Sequence, residues 1–230
     1  MMPVAILAGG LATRLRPVTD TIPKALVEIN GEPFLAHQLR LLRRSGLERV
    51  VLCVGYRSDQ VRDFAGDGRA FGLQVEYSSD GPKLLGTAGA IRRALPLLGE
   101  SFFVLYGDSY LPCDYVAVER RFRASGDPAL MTVHENEGRW DSSNIEFVGG
   151  RILAYDKTNR TPEMRYIDYG LGAFRREAFD EVPEDRPSDL AAVYQKLLHR
   201  GELAAYEMPT RFYEIGSPEG IRELAELLSR

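Results

Sequence analysis

Val4-Ala5-Ile6-Leu7-Ala8-Gly9-Gly10-Leu11-Ala12-Thr13-Arg14-Leu15-Arg16-Pro17, continuing through Thr19-Asp20-Thr21-Ile22-Pro23-Lys24-Ala25-Leu26, is the stretch whose reading decides the fold. An apolar run of strand length passes straight into a glycine pair, and two arginines and a lysine follow. Glycine lets the backbone approach a ligand closely, because no Cβ intervenes and positive φ carries no steric cost. Backbone N–H groups freed at such a turn point outward and can cradle phosphate oxygens. Arg14, Arg16 and Lys24 add mobile positive charge around the same place. The combination predicts a grip on a polyphosphate.

Two commoner phosphate loops do not fit. The Walker pattern needs four residues between its glycines and then Gly-Lys-Ser/Thr, and the dinucleotide pattern spaces its glycines at first, third and sixth positions. Gly9-Gly10 has neither arrangement. Taken alone, the pair has a bland reading as a strand-to-loop turn.

Outward from this start, strands and helices are expected to alternate. Residues 3–8 read as a strand and 25–30 as a short extended piece. Residues 33–45 read as a helix with Phe34, Leu35, Leu39, Leu41 and Leu42 mostly on one side, stopped by Gly46. Residues 49–55 form a near-continuous apolar run, as for a strand covered on both faces. A helix over 58–65 with Ser58 as N-cap, a strand over 74–78, a helix ending near Leu98 and a buried strand over 101–106 complete the first half. Such alternation with short connections predicts βαβ units and a parallel sheet. The second half is mostly extended, at 129–134, 144–147, 152–156, 166–174 and 202–208. It adds one helix over 188–199 opened by Ser188, and a closing helix over 217–229 capped by Ser217 with Pro218 first. No repeat, low-complexity tract or linker interrupts the chain, so residues 1–230 read as one domain. About 1–110 would serve a nucleotide and 111–230 a second substrate.

Composition narrows the classes. At 230 residues, 44% hydrophobic and 27% charged, the chain has ordinary globular content. A net charge of −4 argues against general nucleic-acid binding, which leaves a basic footprint. No apolar run reaches the ~18 residues of a membrane span. The start lacks the charged and apolar segments of a signal peptide, so a cytoplasmic setting is expected. Cys53 and Cys113 are too few for a disulfide framework and lack metal-site spacing. His37, His134 and His199 are scattered and read as structural.

The string LAGGLATRLRPVT from Leu7, with PKAL at 23–26, resembles the signature of the sugar-1-phosphate nucleotidylyltransferases. Weaker resemblance extends along most of the chain. It implies a three-layer, Rossmann-like α/β fold with a mixed, mostly parallel central sheet. It implies transfer of a nucleotidyl group from an NTP to a sugar 1-phosphate, with Mg²⁺ as cofactor and pyrophosphate as second product. A homo-oligomer is left open, and no nucleic-acid or membrane partner is implied. Arg14 would stabilise the leaving pyrophosphate, and Lys24 would hold the α-phosphate or the incoming phosphate. Leu7, Ala8, Gly9 and Gly10 would contribute contacts to the nucleoside. Gly86-Thr87-Ala88-Gly89 looks like the family's base-binding loop.

Asp108 follows a strand end, where ligands of parallel α/β sheets gather, and the resemblance makes it a Mg²⁺ ligand. Its partner falls in Phe212-Tyr213-Glu214-Ile215-Gly216-Ser217-Pro218-Glu219, where Glu214 stands in place of the family's usual Asp. Asp156-Lys157 resembles a Glu-Lys pair whose lysine grips the sugar phosphate. Ile167-Asp168-Tyr169-Gly170 resembles a strand end that touches sugar hydroxyls, with Asp168 as acceptor and Gly170 beside it. Residues 139–144, with Trp140, read as a polar lid over the sugar.

The chemistry needs little else. A sugar 1-phosphate is mostly dianionic near neutral pH, its second pKa being about 6, and can attack phosphorus without a general base. Positioning and charge neutralisation then suffice. Spacing resembles heptose-1-phosphate guanylyltransferases and N-acetylmuramate-1-phosphate uridylyltransferases, with a lean to the guanylyl side. A non-catalytic nucleotide- or sugar-phosphate-binding module is the rival class, motivated by Glu214.

Overall fold

The computed structural model describes residues 1–10, 15, 18–184 and 186–229. Strand β1 (Val4–Leu7) is followed by a small hairpin of β2 (Glu28–Ile29) and β3 (Glu32–Pro33), then by α1 (Phe34–Arg44). Next come β4 (Arg49–Val54), α2 (Ser58–Ala65), β5 (Gln74–Ser79), α3 (Gly86–Leu98) and β6 (Ser101–Tyr106). The second half runs β7 (Ser109–Tyr110), α4 (Tyr115–Ser125), β8 (Ala129–Glu135), β9 (Ile145–Val148), β10 (Arg151–Tyr155) and β11 (Tyr166–Arg175). It closes with α5 (Leu190–Arg200), β12 (Leu203–Glu207), β13 (Tyr213–Glu214) and α6 (Pro218–Leu228).

The main row of the sheet is β5-β4-β1-β6-β11-β8-β12. β5, β4, β1 and β6 pair in parallel, as do β8 and β12. β11 is antiparallel to both β6 and β8, so it alone runs against the described strands of this row. The hairpin β9–β10 joins the start of β11 at Tyr166. The expected mixed, mostly parallel sheet is what the chain forms.

Successive strand residues face opposite sides of a sheet, and the core divides accordingly. Val4, Ile6, Leu52 and Phe103 pack in one cluster with Leu39 of α1, Val61 of α2 and Val118 of α4. Ala5, Val51, Phe102 and Val104 pack in a second with Ile91 of α3 and Tyr194 of α5. Helices therefore cover both faces, which makes three layers. Phe102 is fully buried between Phe174 and Phe179, and cutting such a ring to alanine costs about 3–5 kcal/mol. A third cluster of Ile29, Phe34, Tyr110, Ile215 and Leu224 seats α6 against the β2–β3 hairpin.

Local expectations needed adjustment at several ends. The expected extended piece at 25–30 opens instead as a 3-10 turn over Lys24–Leu26 before the two-residue β2. At α2 the capping position belongs to Arg57, in the left-handed region at φ 52°, and Ser58 is already helical. At α5 the cap is Asp189, whose carboxylate accepts from Ala191 N, because the Ser188 backbone is taken up by the Gly86 loop. Helix α4 is capped by Asp114, and Tyr115, Val118 and Phe122 give its buried face.

Candidate active site

The carboxyl ends of β1, β4 and β6 open into a cleft of 350 Å³. Its floor is backbone. Ala8 N donates to Cys53 O at 2.9 Å, and Tyr56 N to Gly9 O at 3.3 Å, which pins the glycine pair to the end of β4. Gly107 N donates to Leu7 O at 3.1 Å. A side chain at Gly107 would collide with that same carbonyl, so glycine is required by close approach. Leu7, Ala8, Gly9 and Gly10 all line the cleft, as do Lys24, Gly86, Thr87 and Asp108. Arg14 and Arg16 lie outside the described residues.

The far wall is the loop that leads into α3. Gly86 sits at φ +71°, with Ser188 O where a Cβ would have to go. Ala88 N donates to Ser188 O at 2.9 Å, and Ser188 N returns a bond to Leu85 O at 2.8 Å. Thr87 is occupied structurally: its hydroxyl accepts from Leu190 N at 2.7 Å and donates to Asp189 at 3.2 Å.

One side chain the sequence reading passed over also faces this cleft. Asp80, at the end of β5, is 7% exposed and accepts from Leu85 N at 3.1 Å. Burial raises its pKa, opposed by the Leu85 N–H and by Arg93. It in turn helps burial push the Cys53 thiol up to about 12, so Cys53 lines the cleft as a neutral apolar group.

Asp108 is held from three directions. Its own C=O accepts from Ile215 N at 2.9 Å. Gln38, buried on α1, donates through Nε2 to Tyr106 O at 3.2 Å and Ser109 O at 2.8 Å, bracketing the Gly107-Asp108 corner. On the side chain, Lys24 Nζ lies 2.6 Å from Asp108 Oδ2. The two residues that sequence reasoning assigned to phosphate and to metal are thus in direct contact.

A second cleft of 280 Å³ opens on the other side of the same corner, and Tyr106 and Asp108 line both. Lys157, Asp168, Gly170 and Glu214 all line the second cleft. Asp156 Oδ1 accepts from Thr158 N at 2.7 Å and Asn159 N at 2.9 Å, which fixes the turn carrying Lys157 and lowers the carboxyl pKa. Lys157 Nζ lies 5.6 Å from the Tyr106 ring centroid.

Asp168 owes its direction to an irregularity in β11. Between Asp168 and Gly172 the register against β8 slips, from Asp168↔Val133 to Gly172↔Met131. The extra residues bulge, and bulges re-aim side chains. Gly170 N donates to Asp168 Oδ1 at 3.0 Å, and the buried Tyr106 hydroxyl faces the same carboxylate. Burial raises the Asp168 pKa, opposed by Lys157, the Gly170 N–H and the Tyr106 hydroxyl. The loop expected as a lid divides between two environments. Asp141, Ser142 and Asn144 line the second cleft, but Trp140 faces away, against His134 and Phe212.

Asp108 immediately precedes β7, and Glu214 lies on β13, paired with Ser109. Both line the second cleft, and they offer oxygen donors only. No cluster of three His, Cys, Asp or Glu side chains is assembled among the described residues. Two carboxylates suit a hard cation such as Mg²⁺, which takes its other ligands from water and substrate phosphates.

A family profile described as nucleotidyl transferase matches residues 4–229. The chain is 30% identical to N-acetylmuramate alpha-1-phosphate uridylyltransferase of Neisseria meningitidis, over 98% of both proteins. It is 29% identical to UTP--glucose-1-phosphate uridylyltransferase of Synechocystis, over 100% of this chain and 64% of that protein. It is 30% identical to mannose-1-phosphate guanylyltransferase of Mycobacterium tuberculosis, over 97% of this chain and again 64% of the relative. Among solved structures, HddC of Yersinia pseudotuberculosis complexed with GMP-PN superposes with a TM-score of 0.81 at 25% identity, covering 99% of this chain and 100% of that one. A putative glucose-1-phosphate thymidylyltransferase of Bacillus anthracis shares the fold, with a TM-score of 0.88 at 22% identity over 100% and 96% of the chains.

Proposed function

The chain belongs to the nucleotidyl transferase family, and from that premise we propose that it transfers a nucleotidyl group from an NTP to a sugar 1-phosphate. The observation that carries this reading is the shared corner. One cleft is floored by the backbone of the glycine turns, the other is lined mainly by charged and polar side chains, and they meet at Tyr106 and Asp108. A triphosphate in the first and a sugar phosphate in the second would bring an attacking oxygen to the α-phosphorus beside Asp108.

The balance is simple. A phosphate oxygen of the sugar 1-phosphate forms the new P–O bond at the α-phosphorus, the bond to the β-phosphate breaks, and pyrophosphate leaves with that electron pair. No general base is needed, so the protein's work is positioning and charge neutralisation. Lys24 would turn from Asp108 to a phosphate oxygen, and Lys157 would hold the sugar phosphate. Asp108 and Glu214 would hold Mg²⁺, whose charge would offset that of the phosphates. Arg14 would act on the leaving group.

Two electrostatic features support a substrate choice. Asp80 places a carboxyl that can accept hydrogen bonds in the nucleotide cleft. Guanine offers adjacent N–H donors at N1 and N2, whereas uracil offers one donor flanked by two carbonyl oxygens that would face the carboxyl. This favours GTP. In the sugar cleft Asp108, Asp141, Asp168 and Glu214 outnumber Lys157 and Arg160. A neutral hexose or heptose 1-phosphate, donating hydroxyls to Asp168, suits that lining. N-acetylmuramate 1-phosphate would bring a further carboxylate among the acidic groups, although the relative from Neisseria keeps uridylyl transfer to it as the second reading.

The test is pyrophosphate release with Mg²⁺, crossing GTP, ATP, CTP, UTP and dTTP against mannose, glucose, N-acetylglucosamine, N-acetylmuramate and heptose 1-phosphates. Release with GTP and a neutral sugar supports the reading. Release with UTP and N-acetylmuramate 1-phosphate alone replaces it with the second. Silence with NTP binding intact would point to a binding module.

A further inference from the structure

The chain's single tryptophan takes part in an arrangement that neither cleft uses directly. The Arg211 guanidinium carbon lies 4.5 Å from the Trp140 ring centroid and 4.4 Å from that of Tyr213, stacked over both rings. Its NH2 group also donates to Glu223 of α6 at 2.6 Å, and its Nε to Phe212 O at 3.2 Å. A planar guanidinium can stack through its faces while its edge keeps an ion pair, which an ammonium cannot do.

Both stacking partners precede residues of the sugar cleft. Trp140 is followed by Asp141 and Ser142, and Tyr213 by Glu214. The loop is stiff enough to pass position along it. Asn136 Nδ2 donates to Asp141 O at 2.6 Å and to Ser143 Oγ at 3.1 Å, and Ser143 Oγ donates to Arg165 O at 3.2 Å. From these contacts we infer that Arg211 is a positioning residue. Stacked between Trp140 and Tyr213, it sets the separation of the Asp141-Ser142 loop from Glu214, and with it the fit of the sugar 1-phosphate. This rests on the function proposed above. Arg211 is absent from the lining of both clefts, so its effect passes through its neighbours.

The test uses the pair that the wild type turns over, GTP with mannose 1-phosphate first. Arg211→Ala should raise the KM for the sugar phosphate about 5- to 30-fold, the worth of stacked cation–π contacts, and leave the KM for GTP within about twofold. In the free protein, acrylamide should quench Trp140 more strongly in Arg211→Ala than in the wild type. Arg211→Lys, which retains a cation for Glu223, should recover little of either effect, whereas Trp140→Phe, which keeps a ring beside an intact Arg211, should leave the sugar KM close to the wild-type value. An unchanged sugar KM, equal losses for both substrates together with a lowered Tm, or full rescue by lysine would each overturn the inference. A wild type that turns over no pair defeats the functional reading and this one with it. A wild type that turns over, with Arg211→Ala matching it, defeats this one alone.

Discussion

The two clefts that meet at Asp108 are built by opposite means. The nucleotide cleft is framed by turns at the ends of β1, β4 and β6, with its shape set by backbone bonds such as Gly107 N to Leu7 O and by glycines that leave room. The sugar cleft is framed by side chains from the second half, carried on a turn at Asp156, a bulge in β11 and the two-residue strand β13. In the function proposed above, the first would hold the nucleoside triphosphate. The second would have to fit one sugar among many, and side chains can change there without disturbing the sheet. The division also shows where the halves interlock. Asp108 comes from the first half, but Ile215 of the second half holds its carbonyl.

Substitutions can break this comparison, starting where both clefts would fail. Asp108→Asn should lower kcat/KM on the order of 10³-fold, as expected when a group stabilising transition-state charge is lost. The Kd for GTP should stay within about tenfold in equilibrium titrations, because most of the lining of the cleft proposed for it lies away from Asp108. Collapse of GTP binding would mean that the nucleotide cleft is not self-sufficient. Asp80→Asn acts on one cleft only. It should cut discrimination between GTP and UTP by about 1–3 kcal/mol, roughly 5- to 150-fold, read as a ratio of kcat/KM values, and leave the sugar KM alone.

How much of this was legible beforehand follows the same division. Gly9-Gly10, Lys24 and Gly86-Thr87 belong to local signals, and the fold brings them to one cleft. Lys157, Asp168 and Glu214 were reached by resemblance, and they do converge, but their geometry depends on a register slip in β11 that no spacing announces. Asp80 and Gln38 were missed for a different reason. A single aspartate in a turn and a glutamine within a helix are commonplace. Their importance arises from burial and from which carbonyls they meet, and only long-range packing decides that. Residues 139–144 read as a lid because the loop is polar, yet its one aromatic residue, Trp140, packs against His134, Phe212 and Arg211.

Smaller effects sharpen the account. Gln38→Leu would strip the donors from the Tyr106 and Ser109 carbonyls, at about 1–3 kcal/mol for buried groups left unpaired. The expected result is a lower denaturation midpoint and a kcat loss with every substrate pair. Asp168→Asn should weaken sugar binding by about tenfold at most, one neutral hydrogen bond's worth, yet raise thermal stability at pH 7. Folding raises this pKa, so the folded state holds the proton more tightly than the unfolded one. That contribution favours the fold at low pH and is lost as pH rises through the folded value. The variant's advantage, roughly 2–4 °C per kcal/mol for a chain of this size, should therefore be greatest at neutral pH and shrink towards pH 4. A gap that widens on acidification would contradict the burial of Asp168.

The most direct test of the shared corner is to incubate the protein with Mg²⁺ and α-labelled GTP, first alone and then with mannose 1-phosphate. Both substrates meeting beside Asp108 implies direct transfer. The account predicts neither labelled protein nor pyrophosphate until the sugar phosphate is added, and then one labelled nucleotide sugar per pyrophosphate. Label attached to the protein in the absence of sugar would mean a covalent intermediate, and the two clefts would not be halves of one reaction site.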